Sequence, residues 1–152
     1  GRRHRDRIMP RLVLFAPCDK AIVDQETNSL SLIAILENIR VPIVDGITVP
    51  ADTSAPLTWA CVSMWQRIEG DANKEFEQRI CLLLPDGQEA IESITSFQMT
   101  DLYMRSVLRV NGFPVGQEGE HTLRLAVRET GAEPVWRTVA DFVLNVIHEA
   151  VT

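Results

Sequence analysis

The feature that most constrains this chain is a rhythm. Turn-forming residues recur about every ten positions, and between them apolar and polar side chains alternate with a period of two. Residues 122–128 are the clearest case. Leu123, Leu125 and Val127 share one parity, and Thr122, Arg124 and Arg128 share the other. An extended strand sends successive side chains to opposite faces, so it sorts these residues into an apolar side and a polar side.

The same reading divides the rest of the chain. Residues 11–24 carry apolar side chains at Leu12 to Phe15 and at Ala21 to Val23, with Pro17 between them. A proline inside a strand removes a ladder donor, which predicts an edge strand or a bend there. After the polar turn 25–29, residues 30–41 read as a central strand, apolar on both faces from Leu32 to Leu36. Residues 42–56 contain Pro42, Gly46, Pro50 and Pro56 and read as a long loop. Further strands are predicted at 57–68, at 76–84 with Phe76, Ile80, Leu82 and Leu84 on one face, and at 88–98 beyond the Asp86-Gly87 hairpin signal. Residues 102–110 place Leu102, Met104, Leu108 and Val110 opposite Tyr103, Arg105 and Arg109, and 112–119 read as a Gly/Pro loop. In the last segment, 135–147, Trp136, Val139, Val143 and Ile147 also fit a helical stripe. Its many β-branched and aromatic residues decide for a strand.

These segments predict an all-β fold: an antiparallel β-sandwich of about eight strands with immunoglobulin-like or C2-like topology. It occupies residues 10–152 as one domain, and residues 1–9 read as a basic N-terminal extension. A chain of 152 residues buries roughly 70% of its unfolded surface, so it needs no disulfide or metal to hold a core.

Charge and cysteine usage narrow the partners. The net charge is −6, yet residues 1–11 hold five arginines and one acid, leaving −10 on the remainder. A body that acidic repels phosphate backbones, so no nucleic-acid partner is expected. The longest apolar runs, 30–36 and 80–84, fall far short of the ~18 residues that a membrane-spanning helix needs, so no membrane partner is expected either. No apolar run follows the basic N-terminus, and no signal peptide is expected. Cys18, Cys61 and Cys81 are odd in number and widely spaced. They predict free thiols in a reducing, cytoplasmic setting. Cys61 and Cys81, on successive strands, could be neighbours, but two small buried hydrophobes are the expected reading.

Pro17-Cys18-Asp19-Lys20, Val23-Asp24, Thr27-Asn28-Ser29-Leu30-Ser31-Leu32 and Ile35-Leu36-Glu37 together form a recognisable opening. It resembles that of an uncharacterised bacterial family catalogued as a domain of unknown function. Leu84-Pro85-Asp86-Gly87 and the Gly-Glu-His-Thr-Leu-Arg-Leu run from Gly119 resemble its middle and end. The resemblance implies a β-sandwich and no activity, so it assigns no functional residue.

Cys18, Asp19, Asp24 and Asn28 are the most patterned polar residues and the candidates for any site. As chemistry, Cys18 is a nucleophile or Asp19 and Asp24 are metal ligands. A cysteine nucleophile needs a base within reach, and His4, His121 and His148 are all distant in sequence. As structure, the aspartates hydrogen-bond backbone amides at turns, which is the expected role. Asp45, Asp52, Asp71, Asp86 and Asp101 sit in loops without an Asp-x-Asp pair, so no calcium site is expected. There is no Cys-x-x-Cys, no Gly-x-Ser-x-Gly and no phosphate-binding glycine pattern. No catalytic residue, metal or cofactor is therefore assigned. Trp59 and Trp65 share a parity and are either core or, if exposed, a stacking platform; core is expected. The sequence predicts a non-enzymatic binding module whose partner is a protein or small ligand, acting as a small homo-oligomer. The alternative is a metal-binding or hydrolytic domain built on the loop acids and Cys18.

Overall fold

The computed structural model describes residues 9–132 and 134–151, and among these the alternating segments form strands and no helix. The strands are β1 (Arg11–Val23), β2 (Leu30–Ile35), β3 (Asn38–Val44), β4 (Ser54–Gln66), β5 (Glu75–Leu83), β6 (Glu89–Gln98), β7 (Tyr103–Pro114), β8 (Gly119–Glu129) and β9 (Arg137–Val151). They build two sheets, one ordered β2-β1-β4-β7 and the other β3-β9-β8-β5-β6. The expected all-β sandwich is what forms. Most of the predicted extension, residues 1–8, lies outside the described residues, whereas Met9 packs against the core and belongs to the domain.

The core follows from the parity of the strands. On β8, Leu123, Leu125 and Val127 are buried between the sheets. They meet Phe76, Ile80 and Leu82 of β5 and Trp59, Cys61 and Trp65 of β4. Both tryptophans are core residues with paired indoles. Trp59 Nε1 donates to the Gly112 carbonyl, and Trp65 Nε1 to Gln78 Oε1, each at 2.9 Å. The last segment is a strand: β9 pairs antiparallel with β8 and parallel with β3, which a helix could not do.

Several expectations need correction. The predicted strand 30–41 is two strands, giving nine rather than about eight. The chain breaks at Leu36-Glu37, and β3 crosses to the other sheet to run parallel to β9, from Asn38↔Asn145 to Val44↔Val151. The sandwich is therefore not wholly antiparallel. The physical reason lies in the apolar residues on both faces. Leu36, Ile39 and Val41 pack on the main core, whereas Leu30 and Leu32 pack on a second cluster. Side chains that serve two sheets read in sequence as one central strand. Pro42 is tolerated because β3 is an edge strand.

Of the edge strand or bend expected at Pro17, the edge is not what forms, for β1 lies between β2 and β4, and it leaves β4 just beyond, after Cys18. The Pro17 carbonyl accepts from Leu36 N at 3.0 Å, where the β1–β2 ladder ends, so the proline costs that pairing only its last donor. Leu102, expected to face inward, precedes β7 and is exposed. The predicted loop 112–119 begins later, since β7 runs to Pro114. Beyond it, Val115 N donates to the Thr53 carbonyl at 2.9 Å and draws two loops together. A Cβ on Gly116 would lie 2.1 Å from the Ala51 carbonyl oxygen, so close backbone approach requires glycine there.

Candidate functional site

β1 follows β4 as far as Cys18↔Ala60 and then leaves it. From Lys20 to Val23 it pairs with β2 alone. Ala34 stands between the partners of Cys18 and Lys20 on β2 and has φ of 58°, an uncommon left-handed conformation for a residue with a Cβ. The hairpin turns out of the sheet there and lies across the outer face of β4 and β7. Two arginines of β7 hold it. Arg109 Nη2 donates to the Ala21 carbonyl at 3.2 Å, and Arg105 Nη2 to Asn28 Oδ1 at 2.5 Å. Beneath it, Cys18, Ala21, Ala60 and Val62 form a second small core with Leu14, Leu30, Leu32 and Val107 around them. Small side chains let the hairpin sit close to the sheet.

The turn is built by the residues that the sequence singled out. Asp24 Oδ1 accepts from Glu26 N at 2.8 Å and Thr27 N at 3.1 Å. Those backbone bonds, Thr27 first, hold its carboxyl below the usual carboxylate range. Asn28, with φ of 59°, closes the turn on the Asp24 carbonyl at 2.7 Å.

The hairpin carries all four candidates but does not bring them to one point. Asp24 and Asn28 sit at its tip, Cys18 and Asp19 at its root. Cys18 is fully buried; burial, then the neighbouring Asp19, raises its thiol pKa. Neither described histidine serves it. His121 packs on Phe113 in the main core, with ring centroids 5.5 Å apart, and His148 Nε2 contacts the Val115 carbonyl. A buried thiol held protonated is a packing residue, not a nucleophile. Among the described residues, no group of three His, Cys, Asp or Glu side chains is placed to hold a metal ion.

The cysteines do not pair either. Cys61 faces the main core, its thiol pushed up to about 12 by burial, whereas Cys81 lies opposite Arg124 and Glu92 on the outer side of the other sheet. Cys61 and Cys81 are thus the two buried, unpaired residues expected, and all three thiols are free.

What the hairpin does present is apolar surface. Ile22, Ile33 and Ile35 are 48%, 44% and 48% exposed, and β2 is one of the two edge strands of its sheet. On either side of the hairpin lie recesses of about 230 Å³, lined by Asp19, Lys20, Thr58 and Arg109, and about 350 Å³, lined by Asn28, Met64, Tyr103 and Arg105. The outer face of the second sheet differs. Arg79 pairs with Glu89 and Glu92, Arg124 with Asp141, and Arg128 with Glu77, with the Arg128 guanidinium 4.2 Å from the Trp136 ring centroid. Sequence reasoning misses the isoleucines because the run 30–36, apolar on both faces, reads as a central strand. Its apolar residues with no polar partner face were the available signal.

No protein-family model matches the chain, and no curated protein matches it. Solved structures that resemble it include the following two. One is a conjugative transposon lipoprotein from Bacteroides eggerthii, 10% identical, covering 64% of this chain and 91% of its own, with a TM-score of 0.33. The other is the N-terminal domain of PorA, 14% identical, covering 89% of this chain and 97% of its own, with a TM-score of 0.34. Neither likeness is strong enough to carry a conclusion about fold or function.

Proposed function

We propose that this chain is a non-enzymatic binding module that associates through the open edge of β2, with a second copy of itself as the partner. The observation that carries this reading is the edge itself. β2 has unpaired backbone groups on one side and exposes Ile33 and Ile35, with Ile22 beside them. Exposed apolar strand edges seek another strand, and proteins that do not use them blunt them with charge or proline. No charged residue or proline stands between Leu30 and Ile35. The opposite outer face also exposes Ile94 and Val143, but it sets them among the ion pairs of Arg79, Arg124 and Arg128.

The immunoglobulin-like or C2-like relationship belongs to the same proposal, supported by the two facing sheets and by the use such sandwiches make of edges and loops. So do membership of the uncharacterised bacterial family and a cytoplasmic setting, the latter supported by three free thiols. The metalloprotein or hydrolase alternative has lost its support at Cys18, which is buried, and at Asp24, whose oxygen is engaged by the turn.

Sedimentation velocity over a range of concentrations tests the proposal. The wild-type mass should rise from monomer to dimer, and Ile33→Lys should remain monomeric. Val143→Lys, at an exposed position outside the hairpin, should dimerise as the wild type does. A monomer at every concentration, or equal loss in both variants, would sink it.

A further inference from the structure

The two sheets part along one side, between β7 at the edge of the first and β6 at the edge of the second. A cleft of about 190 Å³ opens there, lined by Gln78, Thr95, Phe97, Met104, Arg105 and Ser106. Gln78 stands opposite Thr95 on β6, and Ser106 opposite Ser63 on β4, so these side chains share the space between the sheets. Gln78 is 1% exposed. Its Oε1 accepts from Ser63 Oγ and from Trp65 Nε1, each at 2.9 Å. An indole N–H can only donate, so the amide cannot be turned the other way. That fixes Nε2, with two N–H donors, as the free half of a buried amide, and within the described residues it has no hydrogen-bond partner. Buried donors are nearly always satisfied, so this one calls for an acceptor.

We infer that this cleft binds a small neutral molecule through a carbonyl oxygen that accepts from Gln78 Nε2, at a place separate from the β2 edge. Phe97 and Met104 provide apolar walls, and Thr95 and Ser106 provide hydroxyls that can complete the oxygen's hydrogen bonding. The size follows from the volume. An apolar cavity of about 150 Å³ takes a benzene-sized guest, so this cleft suits a body of about six heavy atoms. The charge follows from the lining. Arg105 is the one charged residue there, and its Nη2 is engaged by Asn28. A carboxylate would give up more hydration than one amide and two hydroxyls return, whereas a ketone or amide carbonyl gives up far less.

Titration with cyclopentanone, followed through the side-chain amide resonances of Gln78, tests the inference. Isobutyrate, with the same number of heavy atoms and a negative charge, is the second arm. Cyclopentanone should shift the Gln78 resonances saturably, and isobutyrate should bind about tenfold more weakly or not at all. Ser106→Leu fills the cleft and should abolish the shift; Thr95→Leu, at an exposed edge position, serves if Ser106→Leu does not fold. No saturable shift up to the solubility of the ketone, or a shift that survives the filled cleft, would overturn the site. Equal or tighter binding of isobutyrate would overturn the neutral-acceptor assignment.

Discussion

Trp65 Nε1 and Gln78 Oε1 meet at 2.9 Å across the gap between the two sheets, and the Ser63 hydroxyl donates to the same oxygen at 2.9 Å. The oxygen thereby joins β4 to β5 in a buried, otherwise apolar region. Replacing Gln78 by methionine keeps the length of the side chain and removes the acceptor. Two buried donors then lose their partner, at roughly 1–3 kcal/mol each. Gln78→Met should cost ~2–6 kcal/mol in urea unfolding. Ser63→Ala, destabilising alone, should cost less or even restore stability in the Gln78→Met background, because one orphaned hydroxyl is gone. Additive losses in the double variant would contradict a shared acceptor.

Gly116 makes a prediction of a different kind. Its Cβ position lies 2.1 Å from a backbone oxygen, not from the end of a flexible side chain, so two loops must separate to admit alanine. Overpacking of this sort costs typically ~1–3 kcal/mol. Gly87 has φ of 91° and open space around it, so its alanine variant bears only backbone strain. Gly116→Ala should perturb the amide shifts of residues 50–53 as well as its own neighbours, while Gly87→Ala should leave residues 50–53 unchanged. Identical, local perturbations would show that the two loops are not in contact.

His121 gives the fold a pH dependence. Burial lowers its pKa from the ordinary 6.5, against the smaller opposing effect of the Gly119 and Pro114 carbonyls. The Gly119 oxygen can only accept, which assigns the neutral ring a proton on Nδ1. A depressed folded pKa means that the unfolded chain takes up the proton first. Above pH 6.5 neither state is charged at this group and its contribution is intact. As pH falls below 6.5 stability is lost, by at most ~1.4 kcal/mol per unit, until the folded pKa is passed. Urea unfolding of the wild type should weaken between about pH 6.5 and pH 5 more steeply than that of His121→Gln. Parallel curves would contradict a buried neutral imidazole.

How much of this was legible in the sequence depended on where the local pattern and the tertiary fold agree. Leu123, Leu125 and Val127 alternate cleanly because β8 has one buried face that matters, and Trp59 and Trp65 share a parity because both face the main core. The β2–β3 break was hidden, since Leu30 to Leu36 serves two clusters and has no turn residue between them. Nothing about an alanine announces the left-handed backbone of Ala34, so the curl of the hairpin could not be read, nor could the arginines that hold it. Asp24 and Asn28 were legible as turn residues because their chemistry is local. Gln78 does carry a signal in the sequence: it is polar at the inward parity of Phe76, Ile80 and Leu82. The open β2 edge is a property of strand order, which side-chain patterning does not encode.

Amide hydrogen exchange along β2, measured at two protein concentrations, tests the central proposal most directly. In the monomer, the β2 amides that point away from β1 have no strand beside them and should exchange rapidly. Self-pairing at this edge predicts that they become protected as concentration rises, and that Ile33→Lys keeps them rapid throughout. The same rates for Leu30–Ile35 at low and high concentration would contradict the β2 edge as the site of association.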